Sequence, residues 1–377
     1  MKKVLQIISA WGSGGVERYI VNFQKYINDE YSYDVLAIRH TPSKGLFTDE
    51  FINNGGSIEV IKPLSSGTII EKWNYRIEFI INKIKNNDYK IIHLNGTMAD
   101  VILFSSVIKK RFPEIKTIVH CHGDNIDPPY VVVKTFIHKL LKRYIGIYPD
   151  YALGCSKRTL DWMFNYKKLK EIPSKVLYCG IEIDKFLFNK NNRIQVRRAL
   201  KCENDFLLGT IGRFSEQKNP MFILDILKSL SKMEINYKFL WIGAGGMQEA
   251  IKKKADELGI LKNIIFYGTT NDTAKMYSAM DIFILPSLYE GNPIVGFEAQ
   301  ANGLLCLFSD KIVSEAKVSE LVSFLPIDNS DIWANKIKNS MSHLNRQNMK
   351  KLLIDAGQDV QQCAKEVVKV YHILEED

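Results

Sequence analysis

Short apolar segments alternate with longer amphipathic segments along almost the whole chain, and this alternation constrains the fold more than any other feature. In the first half, VLQIIS, YDVLAI, KIIHL and KTIVHC are rich in β-branched residues and too short for helices, which predicts buried strands. The second half repeats the pattern at FLLGTIG, KFLWIG, NIIFYG and DIFILP, each ending at glycine or proline. We therefore expect an α/β protein with two doubly wound parallel sheets.

The length of 377 residues exceeds what one hydrophobic core usually serves. The stretch 172–184, IPSKVLYCGIEID, carries Pro, Ser and Gly between two helical regions and is the predicted linker. We expect a Rossmann-like domain over 1–178 and a second over 179–357, facing each other across a cleft. The amphipathic residues 358–377 are predicted to form a terminal helix that packs back on the first domain.

Composition and charge argue against several classes of protein. With 46% hydrophobic and 25% charged residues the chain should be globular, and its first apolar run is interpreted as a strand, not a signal peptide. No stretch reaches the roughly 18 to 20 apolar residues that a transmembrane helix needs. Six singly scattered cysteines predict reduced core thiols in a cytoplasmic protein. The net charge of +9 is dispersed, which favours an anionic membrane surface and phosphate-bearing substrates over nucleic acid.

The turn WGSGG at 11–15 lies between the first predicted strand and a helix. Glycines let backbone amides approach a phosphate, and a helix N-terminus adds about half a positive charge. Gly14 and Gly15 are therefore candidate donor-binding residues. A tight turn that binds nothing is the alternative.

Gly212 and Arg213 directly follow the predicted strand FLLGTI, and Lys218 is placed at the start of the next helix. Two cations at the carboxyl edge of a parallel sheet, beside a helix N-terminus, predict a pocket for a diphosphate. The alternative is that both are solvated surface charges.

The segment EGNPIVGFE at 290–298 combines turn residues with two acids. Its glycine and proline should shape a turn, and a helix that contains the second acid should begin near Ile294. One carboxylate would lie beside a sugar, and the other would accept hydrogen bonds from ribose hydroxyls. The alternative, a first-turn acid that complements the helix dipole, accounts for the second acid only. The candidate donor-binding residues here are Glu290, Gly291, Asn292, Pro293, Ile294 and Glu298.

Two further segments carry polar residues at regular spacing. His120 and His122 fall on the same side of the strand KTIVHC, and His122, nearer the strand end, is the candidate to contact a sugar hydroxyl or align an acceptor; two structural histidines are the alternative. In the acid-free stretch 130–148, Lys134, His138 and Lys142 recur every four residues. This pattern is typical of a basic amphipathic helix on an anionic membrane, or else of a solvated helix packed on the sheet.

Over nearly its whole length the chain resembles the family 4 glycosyltransferases, especially the bacterial exopolysaccharide and capsule branch. The strongest stretch, MDIFILPSLYEGNPIVGFEAQANGLLCLFSD at 280–310, is similar to the family's donor-site signature of two glutamates with seven residues between them. Shorter similar stretches are GRFSEQKNP at 212–220, GSGGVERYI at 12–20, VHCHG at 119–123 and GCSK at 154–157. The resemblance implies the GT-B fold and a retaining transfer without cofactor or metal, and the sequence indeed lacks an Asp-x-Asp metal motif.

The resemblance also implies roles for single residues. Arg213 and Lys218 would clamp the diphosphate, and Glu298 would bind the ribose. Glu290, near the reacting carbon, and His122 would face the transferred sugar, while the last glycine of WGSGG would offer its amide to the phosphate. The predicted catalytic residues are His122, Glu290, Arg213 and Lys218.

Three positions depart from the family pattern. Cys179 stands where an asparagine usually precedes Gly-Ile, Asn292 replaces a commonly apolar residue, and Gly296 replaces a bulkier aliphatic residue inside a helix. Glycine there costs about 1 kcal/mol relative to alanine. We expect Gly296 to make room for a ligand and, with Asn292, to carry the donor preference.

The predicted activity is transfer of a hexose or N-acetylhexosamine from a nucleotide sugar, expected to be UDP-linked, to a lipid-linked or growing polysaccharide. The reaction would belong to bacterial surface glycan biosynthesis, in the cytoplasm or at the inner face of the cell membrane. One alternative is a UDP-sugar 2-epimerase, which would need further acid-base groups around the sugar. Another is a non-catalytic partner subunit of a transferase, against which the complete clamp argues.

Overall fold

The computed structural model describes residues 1–12, 14–27, 29–41, 45–64, 66–126, 130–144 and 146–376. Within these ranges the chain forms two compact units. The first consists of Met1–Gly180 and Val360–Asp377, and the second of Ile181–Asp359. The second unit is therefore one continuous stretch, and the first is built from both ends of the chain.

The first unit contains a parallel sheet. Its strands are β1 (Lys2–Ile8), β2 (Tyr31–Ala37), β3 (Ser57–Val60), β4 (Ile91–Gly96), β5 (Lys116–Cys121), β6 (Tyr151–Gly154) and β7 (Ser174–Val176). Its helices are α1 (Gly15–Ile27), α2 (Thr48–Asn53), α3 (Ile69–Lys85), α4 (Asp100–Arg111), α5 (Val131–Tyr144), α6 (Lys157–Met163) and α7 (Tyr166–Leu169). The strands lie in the order β3-β2-β1-β4-β5-β6-β7, and every neighbouring pair is parallel.

The second unit repeats this design. Its strands are β8 (Phe206–Ile211), β9 (Tyr237–Ile242), β10 (Ile264–Gly268), β11 (Ile282–Leu285), β12 (Leu305–Ser309) and β13 (Val322–Leu325). Its helices are α8 (Ile183–Phe186), α9 (Lys190–Ala199), α10 (Pro220–Lys232), α11 (Gln248–Glu257), α12 (Thr273–Ala279), α13 (Ile294–Ala301), α14 (Ser330–Ser340) and α15 (Lys350–Asp355). The parallel strands lie in the order β10-β9-β8-β11-β12-β13.

The terminal helix α16 (Val360–Glu376) belongs to the first unit and packs against α1. Its apolar side, which includes Val367, Val370 and Leu374, is buried, as is Tyr371. An amphipathic helix gains most of its stability from burying such a face. The predicted terminal helix is thus confirmed to within two residues at either end.

The eight predicted strands are confirmed, and the predicted linker is partly wrong. Residues 174–176 of the stretch 172–184 form the edge strand β7, which pairs with β6. The chain passes from the first unit to the second further on, between Gly180 and Ile181. Gly180 adopts a φ of +61°, and a Cβ there would lie 2.7 Å from the Cα of Val360. The glycine signal therefore marks this close approach and not the centre of a flexible linker.

Both sheets have the strand order of a doubly wound nucleotide-binding fold. In such sheets the order reverses between two neighbouring strands, and ligands bind beside the carboxyl ends of those two strands. The reversal lies between β1 and β4 in the first unit and between β8 and β11 in the second. The loops after these strands are where a site is expected.

Helix α5 confirms the helix predicted in the stretch 130–148, but its orientation differs from the prediction. Ile145 of this stretch lies outside the described residues. His138 is buried, with Nδ1 accepting a hydrogen bond from the amide of Ala99 at 3.0 Å. Lys142 donates to the carbonyl of Trp162 at 2.9 Å. The predicted face of Lys134, His138 and Lys142 is therefore not a solvent-facing basic stripe, because His138 and Lys142 turn inward and bind backbone groups.

The outward face of α5 is mostly apolar. Val132 is 83% exposed and Phe136 63%, and Val133, Ile137 and Leu140 are also exposed. In the described ranges, no helix combines the length and apolar character needed to cross a bilayer.

Candidate active site

The loops after β8 and β11 contact each other at the reversal point of the second sheet. The amide of Leu288 donates to the carbonyl of Gln217 at 2.8 Å, and Gln217 Nε2 donates to the carbonyl of Tyr289 at 3.1 Å. The two segments that the sequence singled out separately, 212–220 and 290–298, therefore meet in one place.

An ion pair joins the two loops. Lys218 Nζ lies 2.6 Å from Glu290 Oε1, and the two side chains are 19% and 9% exposed. Gln217 Nε2 lies 3.5 Å from the other oxygen of Glu290. The predicted phosphate-binding cation and the predicted sugar-binding acid are thus partners of each other.

Contrary to the prediction, Lys218 does not begin a helix. It ends a short 3-10 turn at Glu216–Lys218, and Asn219, with a φ of +52°, separates this turn from Pro220 at the start of α10. Because the helix begins only at Pro220, the side chain of Lys218 is free to turn back across Gly212. A Cβ on Gly212 would lie 3.0 Å from Lys218 Cε, so the glycine leaves space for the lysine stem.

Arg213 follows Gly212, and its side chain is exposed at the rim of this loop. The loop is held by two glycines of the β9 loop that the sequence analysis did not single out. A Cβ on Gly243, whose φ is +141°, would overlap the carbonyl oxygen of Gly212. A Cβ on Gly245 would lie 2.5 Å from the carbonyl oxygen of Phe214. The run of glycines after KFLWI was the available signal.

The turn at 291–293 leads into α13, which begins at Ile294 as predicted. Glu298 is the fifth residue of this helix, and the first turn holds no acid, so the dipole explanation of Glu298 is wrong. The hydroxyl of Tyr277 lies 2.8 Å from Glu298 Oε2 and 3.1 Å from the carbonyl of Val295. Burial and the nearby carboxylate raise the pKa of Tyr277, so the hydroxyl keeps its proton and positions the acid.

Asn292 has both polar side-chain atoms buried, and neither has a hydrogen-bond partner within the described part of the chain. The hydroxyls of Ser215 and Ser287, in the same two loops, are in the same state. Buried polar groups are nearly always hydrogen-bonded. Unpartnered groups beside an ion pair at a sheet reversal indicate where a polar ligand would bind.

Gly296 does not leave space for a ligand. A Cβ there would lie 2.8 Å from the ring of Phe308 on β12 and 3.5 Å from Pro293. The glycine lets the first turn of α13 approach the sheet, so its expected role in donor preference is corrected to a packing role.

In the first unit, the WGSGG turn is hydrogen-bonded to Glu17. Ser13 of this turn lies outside the described residues. Glu17 Oε1 accepts a hydrogen bond from the amide of Gly12 at 2.9 Å, and a Cβ on Gly14 would lie 2.7 Å from Glu17 Oε2. Gly15 is the first residue of α1. The alternative of a tight turn therefore accounts for Gly12 and Gly14, through a residue that the sequence analysis had not singled out.

His120 lies within β5 and His122 directly follows it. Their ring centroids are 4.0 Å apart, so the two side chains lie on the same side, as alternation along the strand predicted. His120 is fully buried, and its Nδ1 lies 3.3 Å from His93 Nε2, which makes it a structural residue. His122 lies at the carboxyl edge, with Nε2 2.8 Å from Asn95 Oδ1. Its other nitrogen is 4.0 Å from Cys179 Sγ, so this departure from the family pattern adjoins a predicted site residue.

The fold and this geometry define a class of protein. Both sheets have the doubly wound order. At the reversal point of the second sheet, the loops carry a lysine, an arginine and one carboxylate, and the helix that follows carries a second carboxylate. This arrangement suits an α/β enzyme that acts on a nucleotide-linked substrate.

Comparison with known proteins shows which family the chain is similar to. Residues 192–351 match the model of glycosyl transferases group 1. The chain is 24% identical to the putative glycosyltransferase EpsF of Bacillus subtilis over 100% of this chain and 97% of the relative. It is 27% identical to the capsular polysaccharide biosynthesis glycosyltransferase CapH of Staphylococcus aureus over 91% of each. The chain is thus similar to the group 1 glycosyltransferases over residues 192–351 and to glycosyltransferases of bacterial polysaccharide biosynthesis over nearly its whole length.

A further relative and a solved structure extend the comparison. The UDP-Gal:alpha-D-GlcNAc-diphosphoundecaprenol alpha-1,3-galactosyltransferase of Escherichia coli is 27% identical over 60% of this chain and 59% of its own. The crystal structure of HepE from Anabaena, in complex with UDP and glucose, has a TM-score of 0.79 and 16% identity, covering 99% of this chain and 100% of that one. This likeness confirms the predicted GT-B fold class.

Proposed function

We propose that this glycosyltransferase moves a hexose or N-acetylhexosamine from a UDP-sugar to a lipid-linked or growing bacterial polysaccharide, with retention of configuration, as a family 4 enzyme. The single observation that carries the proposal is the Lys218–Glu290 ion pair at the reversal point of the second sheet. The HepE complex supports a UDP-linked donor, and the E. coli relative supports a lipid-linked acceptor. The second unit then binds the donor and the first binds the acceptor.

The chemistry follows from the charges on the two loops. When the bond to the sugar breaks, negative charge develops on the departing UDP, and cations fixed in place stabilise it without reorganising. Lys218 and Arg213 take this role, so no metal ion is required. Glu298, held by Tyr277, accepts hydrogen bonds from the ribose hydroxyls. Glu290 exchanges its lysine partner for the donor sugar when the diphosphate arrives.

The test is a screen of UDP-sugars by calorimetry, followed by transfer assays with a polyprenyl-diphosphate sugar acceptor. Arg213→Ala should weaken UDP-sugar binding, and Arg198→Ala, which removes an exposed arginine of α9, should not. Absence of UDP-sugar binding by the native enzyme, together with no effect of Arg213→Ala, would overturn the proposal. Formation of an epimer without any acceptor would assign the protein to the epimerases instead. Activity only with a second protein would make it a partner subunit.

We also propose that the enzyme rests on an anionic membrane through α5. The exposed apolar side chains of this helix are bordered by the exposed Lys139 and Arg143, and α5 contains no acid. Apolar side chains enter the interface between headgroups and acyl chains, while each nearby cation adds about 1 kcal/mol of attraction to anionic lipid. The lipid-linked acceptor would be present on the same surface, at the cytoplasmic face.

Vesicle sedimentation tests this membrane proposal. The native protein should bind vesicles that contain phosphatidylglycerol more tightly than vesicles of phosphatidylcholine, and salt should weaken the binding. Phe136→Ser should reduce binding, while Ile332→Ser, which alters another exposed apolar residue, on α14, should leave it unchanged. Equal binding by both variants and the native protein would contradict the role of α5, and association of the protein with itself through Phe136 would show a second copy as the occupant.

A further inference from the structure

A line of buried polar side chains connects α16 to His122. The amide nitrogen of Gln6, on β1, lies 3.3 Å from the hydroxyl of Tyr371, and Asn95 Nδ2, on β4, lies 2.8 Å from Gln6 Oε1. Asn95 Oδ1 then lies 2.8 Å from His122 Nε2. Four elements of the first unit thus contribute to one hydrogen-bonded chain that ends at the candidate sugar-facing histidine.

The orientation of the Asn95 amide follows from a backbone group. Asn95 Nδ2 lies 3.2 Å from the carbonyl oxygen of His93, and a carbonyl can only accept a hydrogen bond. The NH2 end of the amide must therefore face this carbonyl, because the reversed amide would place two acceptors against each other. The oxygen of Asn95 consequently faces His122, and it requires a proton on His122 Nε2.

His122 carries only one proton. Burial lowers the pKa of His122 to about 3, so the ring is neutral at ordinary pH. With the proton at Nε2, the lone pair lies at Nδ1. The neighbour of Nδ1 is the thiol of Cys179, 4.0 Å away, whose pKa is raised by burial so that it keeps its proton. A thiol is a weak donor at this distance, and a hydroxyl at an ordinary hydrogen-bond distance would replace it.

We propose that Asn95 is a positioning residue that holds His122 as the Nε2-protonated tautomer, so that Nδ1 is left to accept a hydrogen bond from a hydroxyl of a bound sugar. This inference rests on the proposed function for its substrate. It also restricts the group that contacts Nδ1 to a hydrogen-bond donor, such as a hydroxyl, and excludes the carboxylate of a uronic acid or the carbonyl of an acetamido group.

Nitrogen-15 NMR of histidine-labelled protein tests the tautomer directly. The native enzyme should show His122 protonated at Nε2 alone, assigned by the signal that is lost in His122→Asn. Asn95→Leu, similar in size but without an acceptor, should lose this preference and lower kcat/KM for the UDP-sugar by roughly tenfold, as expected for one lost hydrogen bond. UDP affinity should not change, because UDP lacks the sugar.

Tyr371→Phe is the matched control. It removes a hydroxyl from the same chain but leaves the bond between Asn95 and the carbonyl of His93, so the tautomer should persist. A native His122 protonated at Nδ1, or an Asn95→Leu spectrum like the native one, overturns the inference even if some variants fold poorly. If no UDP-sugar is a substrate, the proposed function and the sugar contact fail together, while the tautomer is still decided by the spectrum.

Discussion

Glu290→Gln should tighten the binding of UDP while reducing transfer. Glu290 forms an ion pair with Lys218, the cation that we assign to the diphosphate. The substitution keeps the size of the side chain and removes its charge. Lys218 then has no anion to give up when UDP binds, and one negative charge no longer repels the diphosphate. UDP carries no sugar, so the role of Glu290 toward the sugar does not enter this measurement.

The geometry sets the size of the effect. Solvent-exposed ion pairs contribute about 0.2 to 1 kcal/mol. Because the side chains of Lys218 and Glu290 are only 19% and 9% exposed, the upper end of that range applies. About 1 kcal/mol corresponds to roughly a fivefold lower Kd for UDP, since about 1.4 kcal/mol is tenfold. The gain should shrink at high salt, because the surrounding ions screen the charges.

Isothermal titration calorimetry with UDP, at low and high salt, measures this change. Glu216→Gln is the control, since Glu216 is an exposed acid in the same loop, and it should leave the Kd nearly unchanged. For a UDP-sugar substrate, Glu290→Gln should lower kcat even though UDP binds more tightly. A weaker or unchanged affinity for UDP in Glu290→Gln would refute the idea that Glu290 competes with the diphosphate for Lys218.

Three further predictions follow from other parts of the structure. Gly243→Ala should destabilise the protein and weaken UDP binding, because a Cβ there overlaps the carbonyl of Gly212; denaturant unfolding and calorimetry measure both. Asn292→Leu should raise KM for the donor with little loss of stability, since both polar atoms lack partners within the described residues; the result would be contradicted by an unchanged KM. The folded-state pKa values of His93 and His122 are lowered from 6.5 to about 3. Below pH 6.5 the unfolded chain therefore binds more protons than the folded protein, and each histidine should lower the free energy of unfolding by about 1.4 kcal/mol per pH unit. Urea unfolding at pH 7 and at pH 5 measures this decrease.

Removal of divalent metals tests the proposed mechanism independently. If fixed cations alone stabilise the departing UDP, transfer in the presence of excess EDTA should equal transfer without it. A loss of activity that returns on adding Mg²⁺ or Mn²⁺ would show that the cations of the β8 loop are not sufficient.

The sequence predicted secondary structure best where a segment has one clear hydrophobic pattern. Buried parallel strands are continuous apolar runs, so β1, β8 and β11 could be predicted from composition and turn residues. Five strands were missed, namely β3, β6, β7, β12 and β13. The strand β3 is short and half-exposed, and the three residues of β7 lie inside a stretch rich in turn signals. Short edge strands carry too few apolar residues to differ from loops.

The orientation of α5 shows a different limit. Helical periodicity shows that α5 has an apolar face and a polar face, yet it does not tell which of the two faces the sheet. Polar residues normally mark the solvent side, but His138 binds the amide of Ala99 and the carbonyl of Trp162, and these bonds make its burial favourable. Such partners are distant in sequence, so the inward turn of this helix could not be predicted from its own residues.

The candidate site combines both cases. Each loop could be found separately, because glycine, proline and charged residues after an apolar strand have a local meaning. The pairing of Lys218 with Glu290 joins residues that are 72 positions apart, and it depends on the left-handed turn at Asn219. No single-sequence pattern reports that contact. The same holds for the amide chain that connects Tyr371 to His122.

The position of α16 has a consequence for the order in which the chain folds. Residues 181–359 are continuous, so the second unit can fold as soon as they are synthesised. The first unit lacks α16 until residues 360–376 are made, and Tyr371 of this helix bonds to Gln6, Tyr33 and His93 in the sheet. During synthesis the second unit is therefore complete first, and the unit that contains His122 is completed afterwards by α16.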